Sequence, residues 1–529
     1  MSIISAALKT ARRVHFLLDL EFTGLSLRLA HGDLAVPSSG DDRRYEAAIT
    51  KTFEVGASFD LRTFRYGAVS ISIELANRDR FQDLEKTIGM DGGIGTIRVW
   101  CDGLTWEDIE TAGILFRGVF QKQHHNKTTY AFDLVDLARY KLDTLPPQQI
   151  DQTTWPYART AGGSGDSPLG QPGQIVFGDW PAVLPAPCVA VNEGGHWFYL
   201  ATYGLTVSRE AQFEAGTELL LDKDGATIDK VNYTYYEAID HLGNPCQYFE
   251  FASDQAALEP LRFSVQGIRD GSGEYTGTAA GLIQHPADIV RFIMEKFSQL
   301  YPEDVDAASL KTAKALLTGV AFSVLVNDSA RGMDVVDRIL SQCLAARVLR
   351  PGGLMGVWTF DPDAPTIGRI IRDQDVIGND MNPVTFTKTP EDFVVNNLVV
   401  KYALNPTTKA WEKLLTKNRN NDPRCKQSFY QYGEQPRFEL LLTDVQNEAI
   451  AAGLTNRFLD LRAMRHDVAE FDVPWFTGFD VLEGDAGLLT LEEGPSLDGA
   501  GWVEEKCILI ERIFKPTTIR QKWIRVSSE

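Results

Sequence analysis

Residues 285–362 break the pattern that governs the rest of this chain. Elsewhere apolar residues recur at every second position, as in Val14, Phe16, Leu18, Leu20 and Phe22, or in Val69, Ile71, Ile73 and Leu75 with Ser70, Ser72 and Glu74 between them. That period belongs to strands with one wetted face and commits most of the chain to β-sheet. In 285–362 the period lengthens. His285-Pro286 sets proline at a first helical position, and Ile289, Phe292, Ile293, Phe297 and Leu300 follow at helical spacing. A strand is expected at Val320–Val326, then Asn327-Asp328-Ser329 as a cap, then a helix with Val336, Ile339, Leu340, Cys343 and Leu344 on one face. Pro351-Gly352-Gly353 stops it and Met355–Phe360 resumes as strand. The segment reads helix, strand, helix, strand: a small α/β module set in a mainly β chain.

The flanking sequence divides by composition. Before residue 145, strands are expected at 14–22, 25–29, 69–75 and 97–101, with a hairpin made of Ile114–Gln121 and Thr129–Leu134 across His124-His125-Asn126-Lys127. A short helix is expected at Asp133–Leu142, closing a β-barrel or sandwich. Residues 145–173 turn to Pro, Gln, Gly and Ser and read as a linker or long loop. Short strands follow at Trp197–Leu200, Leu205–Ser208, Leu219–Leu221 and Tyr248–Phe251, then at Val384–Phe386 and Leu398–Tyr402. Thr443-Asp444-Val445-Gln446 has the form of a capping box opening a helix to about Met464. Strands at Ala469–Val473, Cys507–Phe514 and Ile519–Val526 finish the chain. No tandem repeat of fixed period is present.

The totals exclude several classes of function. At roughly 100–200 residues per domain, 529 residues imply about three to five domains. No apolar run approaches the roughly 20 residues that span a bilayer, and the N-terminal patch is too short for a secretory signal, so no stable membrane insertion is expected. The six cysteines stand singly, without CxxC spacing, and read as free thiols. A formal charge of −20 opposes general attraction to nucleic acid, whose backbone repels such a surface. The same charge suits a conduit that DNA slides through without binding, and it equally suits simple solubility.

The motifs that could carry chemistry read as structure. His124 and His125 are adjacent on a strand and so point to opposite faces, without carboxylate neighbours: a polar hairpin tip. Asp222-Lys223-Asp224-Gly225 lacks the distal glutamate of a calcium loop, since position 231 is Val231, and reads as an Asp-Gly hairpin turn. Ser164 lacks the spacing of a nucleophile elbow, and Gly92-Gly93-Ile94-Gly95 lacks the Gly-Lys-Ser/Thr end of a phosphate loop. Asp361/Asp363 and Glu492/Glu493 lie in no cleft motif. Trp475-Phe476 and Phe479 suit either a sugar-stacking platform or a loop anchored in a neighbouring core. No catalytic, cofactor-binding or metal-binding residue is assigned, and the chain is not expected to be an enzyme.

Six segments, taken in order, carry a resemblance. They are His285-Pro286-Ala287-Asp288-Ile289-Val290; Thr318-Gly319-Val320 to Ser329; Gly353-Leu354 to Thr359-Phe360; Asn396-Asn397-Leu398-Val399-Val400-Lys401-Tyr402; Gln427-Ser428 with Tyr432-Gly433; and Val481-Leu482-Glu483-Gly484-Asp485, where Glu483 stands in place of a usual proline. In this order the chain resembles the tail or baseplate hub proteins of tailed bacteriophages, siphophage-like and related to the hub of contractile tails and type VI secretion spikes. The likeness covers about 280–529 well and 110–150 loosely.

The resemblance implies a fold class that is mainly β and multidomain (α+β), with two tail-tube-like β-barrels, a small α/β module and an additional small β-domain. The expected divisions are a first barrel at 1–145, a linker at 146–173, a small β-rich domain at 174–280, the module at 281–375, and a second barrel with late helix and C-terminal strands at 376–529. It implies a homotrimeric ring ending the tail tube and joining distal tail, tail tube and tape-measure proteins to a central fibre or other tip protein. Such a trimer would carry 60 excess negative charges. The expected location is the virion, after assembly in the host bacterial cytoplasm. A hub of a gene-transfer agent satisfies the same pattern. The competing reading is a tail-associated protein that binds carbohydrate, through Trp475, Phe476 and Trp197, or degrades cell wall as a glycoside hydrolase.

Overall fold

A computed structural model of the chain describes residues 3–11, 13–56, 59–66, 70–76, 81, 92–126, 128–137, 144–145, 173–181, 183–190, 197–200, 219–239, 245–251, 260–297, 300, 302–363, 366–378, 383–496 and 499–526. Strand dominates, with 42% of residues against 21% in helix. The linker expected at 146–173 and the strand expected at Leu205–Ser208 lie outside the described residues, apart from residue 173.

The period-two segments of the N-terminal part form one eight-stranded sheet. Its order is Leu34–Val36, Arg43–Ala47, Leu25–Ala30, Val14–Phe22, Ile94–Cys101, Ile114–His125, Thr129–Asp136 and Ser70–Ala76. Register sets Leu18 opposite Leu29 and Ile97, and Leu20 opposite Leu27 and Gly95, so the apolar face is continuous across strands. Residues Ala48–Thr50 link the two sides of this sheet. Ala48 N and Ile49 N donate to Ala30 O, Thr50 N donates to Glu74 O, and Ala76 N donates to Ala48 O. Pairing on that side stops at the Ile49–Leu75 bridge, so among the described residues no continuous barrel ladder is present. The helix expected at Asp133–Leu142 is corrected in its first part: 133–136 continue the strand, held by pairing with Ser70–Ala76 and Ile114–His125.

A seven-stranded sheet gathers the C-terminal part. Thr366–Arg372, Ala486–Leu491, Trp502–Phe514, Ile519–Arg525, Asp467–Val473 and Thr385–Lys388 pair in that order. The seventh strand comes from the other end of the chain: Val55–Gly56 pairs with Phe514 and Ile513. Ile377, a few residues beyond the first strand, bridges to Asp472 near the opposite edge. Trp502 and Trp523 are fully buried in this half. Beside it a three-stranded sheet, Trp411–Lys417, Leu398–Leu404 and Phe438–Leu442, packs with the helices Pro423–Tyr432 and Glu448–Arg462. That last helix corrects the expected capping box. Its cap is Asn447, whose side chain accepts from Ala449 N and Ile450 N, whereas Asp444 is turned toward Gln342.

The module at 285–362 holds more than the expected four elements. Pro286–Lys296 is the first helix, capped by His285, and it buries Ile289, Phe292 and Ile293 completely. Such burial stabilises by about 1.5–3 kcal/mol for each large side chain. A second helix, Ala307–Leu316, capped by Asp306, went unforeseen. The strand is Val324–Val326, and the third helix, Gly332–Ser341, begins after Arg331 rather than at Asn327-Asp328-Ser329. Cys343 and Leu344 lie beyond the helix. Leu344 takes φ 55°, and the chain turns into a hairpin, Ala345–Arg350 with Leu354–Thr359.

Between the N-terminal sheet and the module, short strands form two small sheets. Asp179–Trp180, Ala186–Pro187 and Leu219–Leu221 pair with Arg262–Gln266, while Val189–Ala190, Trp197–Leu200, Pro245–Phe251 and Tyr233–Ile239 form the other. They share a separate apolar cluster that includes Trp180, Leu220, Phe251 and Phe263.

Candidate functional site: joints and assembly surfaces

Several of the residues flagged for chemistry have a definite place in the fold. His124 and His125 sit at the exposed end of a strand, and among the described residues no group of three or more His, Cys, Asp or Glu could hold a metal ion. Asp222 accepts from Asp224 N and Ala226 N, and Gly225 takes φ +82°, forming the turn before buried Ile228. Gly95 leaves room for Leu134: a Cβ there would come within 2.5 Å of that side chain. Asp361 accepts from Asp363 N as a local turn. Ser164 lies outside the described residues.

Trp475 is buried. Its ring stacks on Phe514 at 5.3 Å, meets the edge of Phe16 at 5.8 Å, and donates through Nε1 to Lys515 O. Of the two readings of Trp475 the loop anchored in a core is the one the structure bears out, since the indole is buried and closed to a sugar ring.

Burial pushes the thiols of Cys101 and Cys425 up to about 11, and those of Cys343, Cys188 and Cys507 further. None of these is a thiolate at neutral pH. His466 is buried, with Nε2 2.7 Å from Leu461 O and Nδ1 3.2 Å from Arg525 O, and burial holds its pKa below the ordinary value. An open groove of about 720 Å³ lies where Leu25–Ala30 and Arg43–Ala47 diverge, lined in part by Arg28, Asp33, Arg44, Tyr45 and Glu46. Asp33 is used within the fold, accepting from Ala47 N. Nearby Asp19 is buried against Arg98, and burial outweighs that cation to leave its pKa raised.

The structure brings four of the six segments singled out in the sequence together in two pairs, and sets the first against the residue just ahead of the second. His285 Nε2 lies 3.1 Å from Leu317 O, the carbonyl that leads into Thr318-Gly319. Buried Asn396 donates through Nδ2 to Ser428 Oγ at 3.3 Å and Gly433 O at 2.8 Å, and accepts from Gln435 N at 3.0 Å. Gly484, at φ +94°, lies so close to Trp358 that a Cβ would meet its Cδ1 at 1.9 Å. Glu483 beside it answers Arg512 at 3.5 Å, both buried, while Arg512 also donates to Phe479 O and Val481 O. Arg350 Nη1 donates to Glu483 O. The glutamate in the place of proline is thus the partner of a buried arginine. Asp444 forms another joint, accepting from Gln342 Nε2 at 2.7 Å with Arg338 Nε at 3.2 Å.

Exposed apolar side chains beside charged ones occur at two places on the large sheets among the described residues. In the three-stranded sheet, Lys401 is paired in register with Leu414 on one side and Leu441 on the other, and those leucines are 61% and 47% exposed. At the far end of the seven-stranded sheet Val503 is 63% exposed, beside exposed Glu504 and close to exposed Glu492 and Glu493. Glu504 N donates to Thr490 Oγ1 and Glu492 N donates to Asp373 Oδ2.

No family model and no curated protein matches the chain. Solved structures similar to it include two tail proteins and a chain of a virion. A tail protein from Neisseria meningitidis MC58 superposes with a TM-score of 0.42 at 9% identity, over 96% of each chain. A chain of the virion of a native gene transfer agent particle gives 0.46 at 13% identity, over 74% of this chain and 91% of that one. The 43 kDa tail protein of prophage MuSo2 from Shewanella oneidensis gives 0.38 at 7%, over 97% and 98%. Superpositions this loose establish neither fold nor function for this chain.

Proposed function

We propose that this chain is a structural protein of a phage tail tip or baseplate: a hub whose copies, three to a ring, end the tail tube. In this role it joins distal tail, tube and tape-measure proteins to a central tip or fibre, and DNA passes through without specific binding. A gene-transfer agent hub would place the same demands on the chain.

The observation that carries this reading is that four of the six hub-like segments meet in two pairs, and that the first reaches the residue just ahead of the second. Matches scattered along 200 residues by chance have no reason to touch, yet His285 reaches Leu317, Asn396 reaches Ser428 and Gly433, and Gly484 lies on Trp358. The two large sheets support the two-barrel part of the reading. In each, a short segment, Ala48–Thr50 or Ile377, bonds toward the strand on the far side of the sheet, as closure into a barrel requires.

Immunogold electron microscopy of the particle, with label against this chain, tests the proposal. Label confined to the tail tip is expected. Label on the capsid or along the mid-tail would overturn it.

A further inference from the structure

Three polar atoms at one joint are buried and without a hydrogen-bond partner among the described residues: Arg350 Nε, Glu483 Oε2 and Arg512 Nε. Glu483 and Arg512 are only 3% and 4% exposed. The other nitrogens of the two arginines are engaged elsewhere. Arg350 donates through Nη1 to Glu483 O and through Nη2 to Val357 O, and Arg512 donates through Nη1 to Phe479 O and Val481 O. Glu483 Oε2 stands 3.5 Å from Arg512 Nη2, and Asp306 Oδ2 stands 3.8 Å from Arg350 Nε. Both distances exceed the roughly 2.7–2.9 Å of a charge-assisted hydrogen bond. Arg350, Glu483 and Arg512 together line a cavity of about 20 Å³, whose other walls are mostly apolar, with Val55, Leu115, Phe479 and Phe514 among them.

We propose that this cavity is a binding site for one water molecule, which donates to Glu483 Oε2 and accepts from the guanidinium Nε–H groups beside it. A site for water needs roughly 10–15 Å³ of room and two to four polar partners that are otherwise unsatisfied. Here the cavity has the room, and the three buried atoms are the partners.

The donor and acceptor pattern selects the occupant. A halide could accept from both Nε–H groups but would lie against a carboxylate oxygen. A metal ion would suit the carboxylate but would meet two guanidinium cations. An apolar occupant would leave all three atoms without a bond, which is costly in a buried place. Water both donates and accepts through a single small atom, and so serves the carboxylate and the guanidinium groups at once. The site lies where three distant parts of the chain meet: the module's hairpin, the turn before Ala486–Leu491, and Val55–Gly56 where it pairs with Ile513 and Phe514. A bridging water completes the bonding of that joint across an ion pair too long to complete it alone.

A crystal structure of the full chain, at a resolution that shows ordered water, tests the proposal. One isolated density peak is expected in the cavity, about 2.5–3.2 Å from Glu483 Oε2 and from at least one of the two Nε atoms. A dry cavity, or a direct short bond between Glu483 and Arg512 that closes it, would overturn the proposal. So would an anomalous peak at this position in a bromide-soaked crystal, which would make it an anion site. Glu483→Gln keeps an acceptor oxygen and should keep the peak. Arg512→Met with Glu483→Leu removes two of the three partners and should lose it; a peak that persists in that variant would show that these side chains do not hold the water.

Discussion

Trp358 fills the space that a side chain at position 484 would need. The indole belongs to the hairpin that ends the α/β module, and the glycine belongs to the turn before Ala486–Leu491, 126 residues later. Phe59 packs edge-on to the same ring at 4.6 Å, so three distant parts of the chain meet at one side chain. A contact this close fixes the angle between module and C-terminal sheet, because a close-packed interior yields little to added volume.

Gly484→Ala should therefore destabilise the protein by roughly 2–4 kcal/mol, combining overlap with the indole and a backbone at φ +94° that an L side chain adopts with strain. Chemical denaturation measures it. In a double-mutant cycle with Trp358→Ala the cost of Gly484→Ala should fall to the backbone part, about 1 kcal/mol. Equal cost in both backgrounds would show that the indole is not what position 484 feels.

Arg512→Met should cost about 3–5 kcal/mol, because it leaves the Glu483 carboxylate buried without its partner. Arg512→Met with Glu483→Leu should recover most of that loss in thermal unfolding. If the double variant is no more stable than the single one, the carbonyl bonds of Arg512 to Phe479 and Val481 matter more than the ion pair.

Local signals were legible in the sequence and long-range ones were not. His285-Pro286 announces its helix because cap and first turn are neighbours in sequence. Thr443-Asp444-Val445-Gln446 has the same kind of signature, but Asp444 is claimed by Gln342 across 102 residues, and Asn447 caps instead. Apolar spacing through Leu344 and Val348 suits helix and strand alike, and the positive φ at Leu344 that turns one into the other leaves no mark in composition. Val55–Gly56 joining Phe514 and Ile513 depends on tertiary packing alone.

Asp270 organises the loop from 271 to 280. Fully buried, it accepts from the backbone N–H of Gly273, Glu274, Tyr275 and Thr276 and from the Thr276 hydroxyl. Burial pushes its pKa up, but the bonds from Thr276 and Tyr275 outweigh burial and hold it below 3.8. The unfolded chain then binds the proton more readily, so this stability is present above about pH 4 and lost as pH falls through the lowered value. Asp270→Asn should cost about 1–3 kcal/mol at neutral pH and weaken the acid dependence. Hydrogen exchange of the Tyr275 and Thr276 amides should rise with it; unchanged protection would mean the loop is held by Lys314, which donates to the carbonyls of both residues.

His285 makes a pH dependence of its own. Its Nδ1 accepts from Ala287 N at 3.2 Å, so Nε2 carries the proton toward Leu317 O, and the ring works as a cap only while neutral. Burial lowers its pKa to about 4 from the ordinary 6.5, with Lys314 adding to the effect. Between those values the unfolded chain binds more protons than the folded one, so stability is full above pH 6.5 and falls as pH drops toward 4. Asn at this position caps a helix equally well and does not titrate. His285→Asn should leave stability at pH 7.5 within about 1 kcal/mol and flatten the fall between pH 6.5 and 4, leaving the smaller slope that His466, His15 and His31 contribute through their own burial. Urea midpoints measured across that range decide it. An undiminished slope in the variant would mean that His285 titrates normally in the folded chain and that the first helix does not depend on a neutral ring.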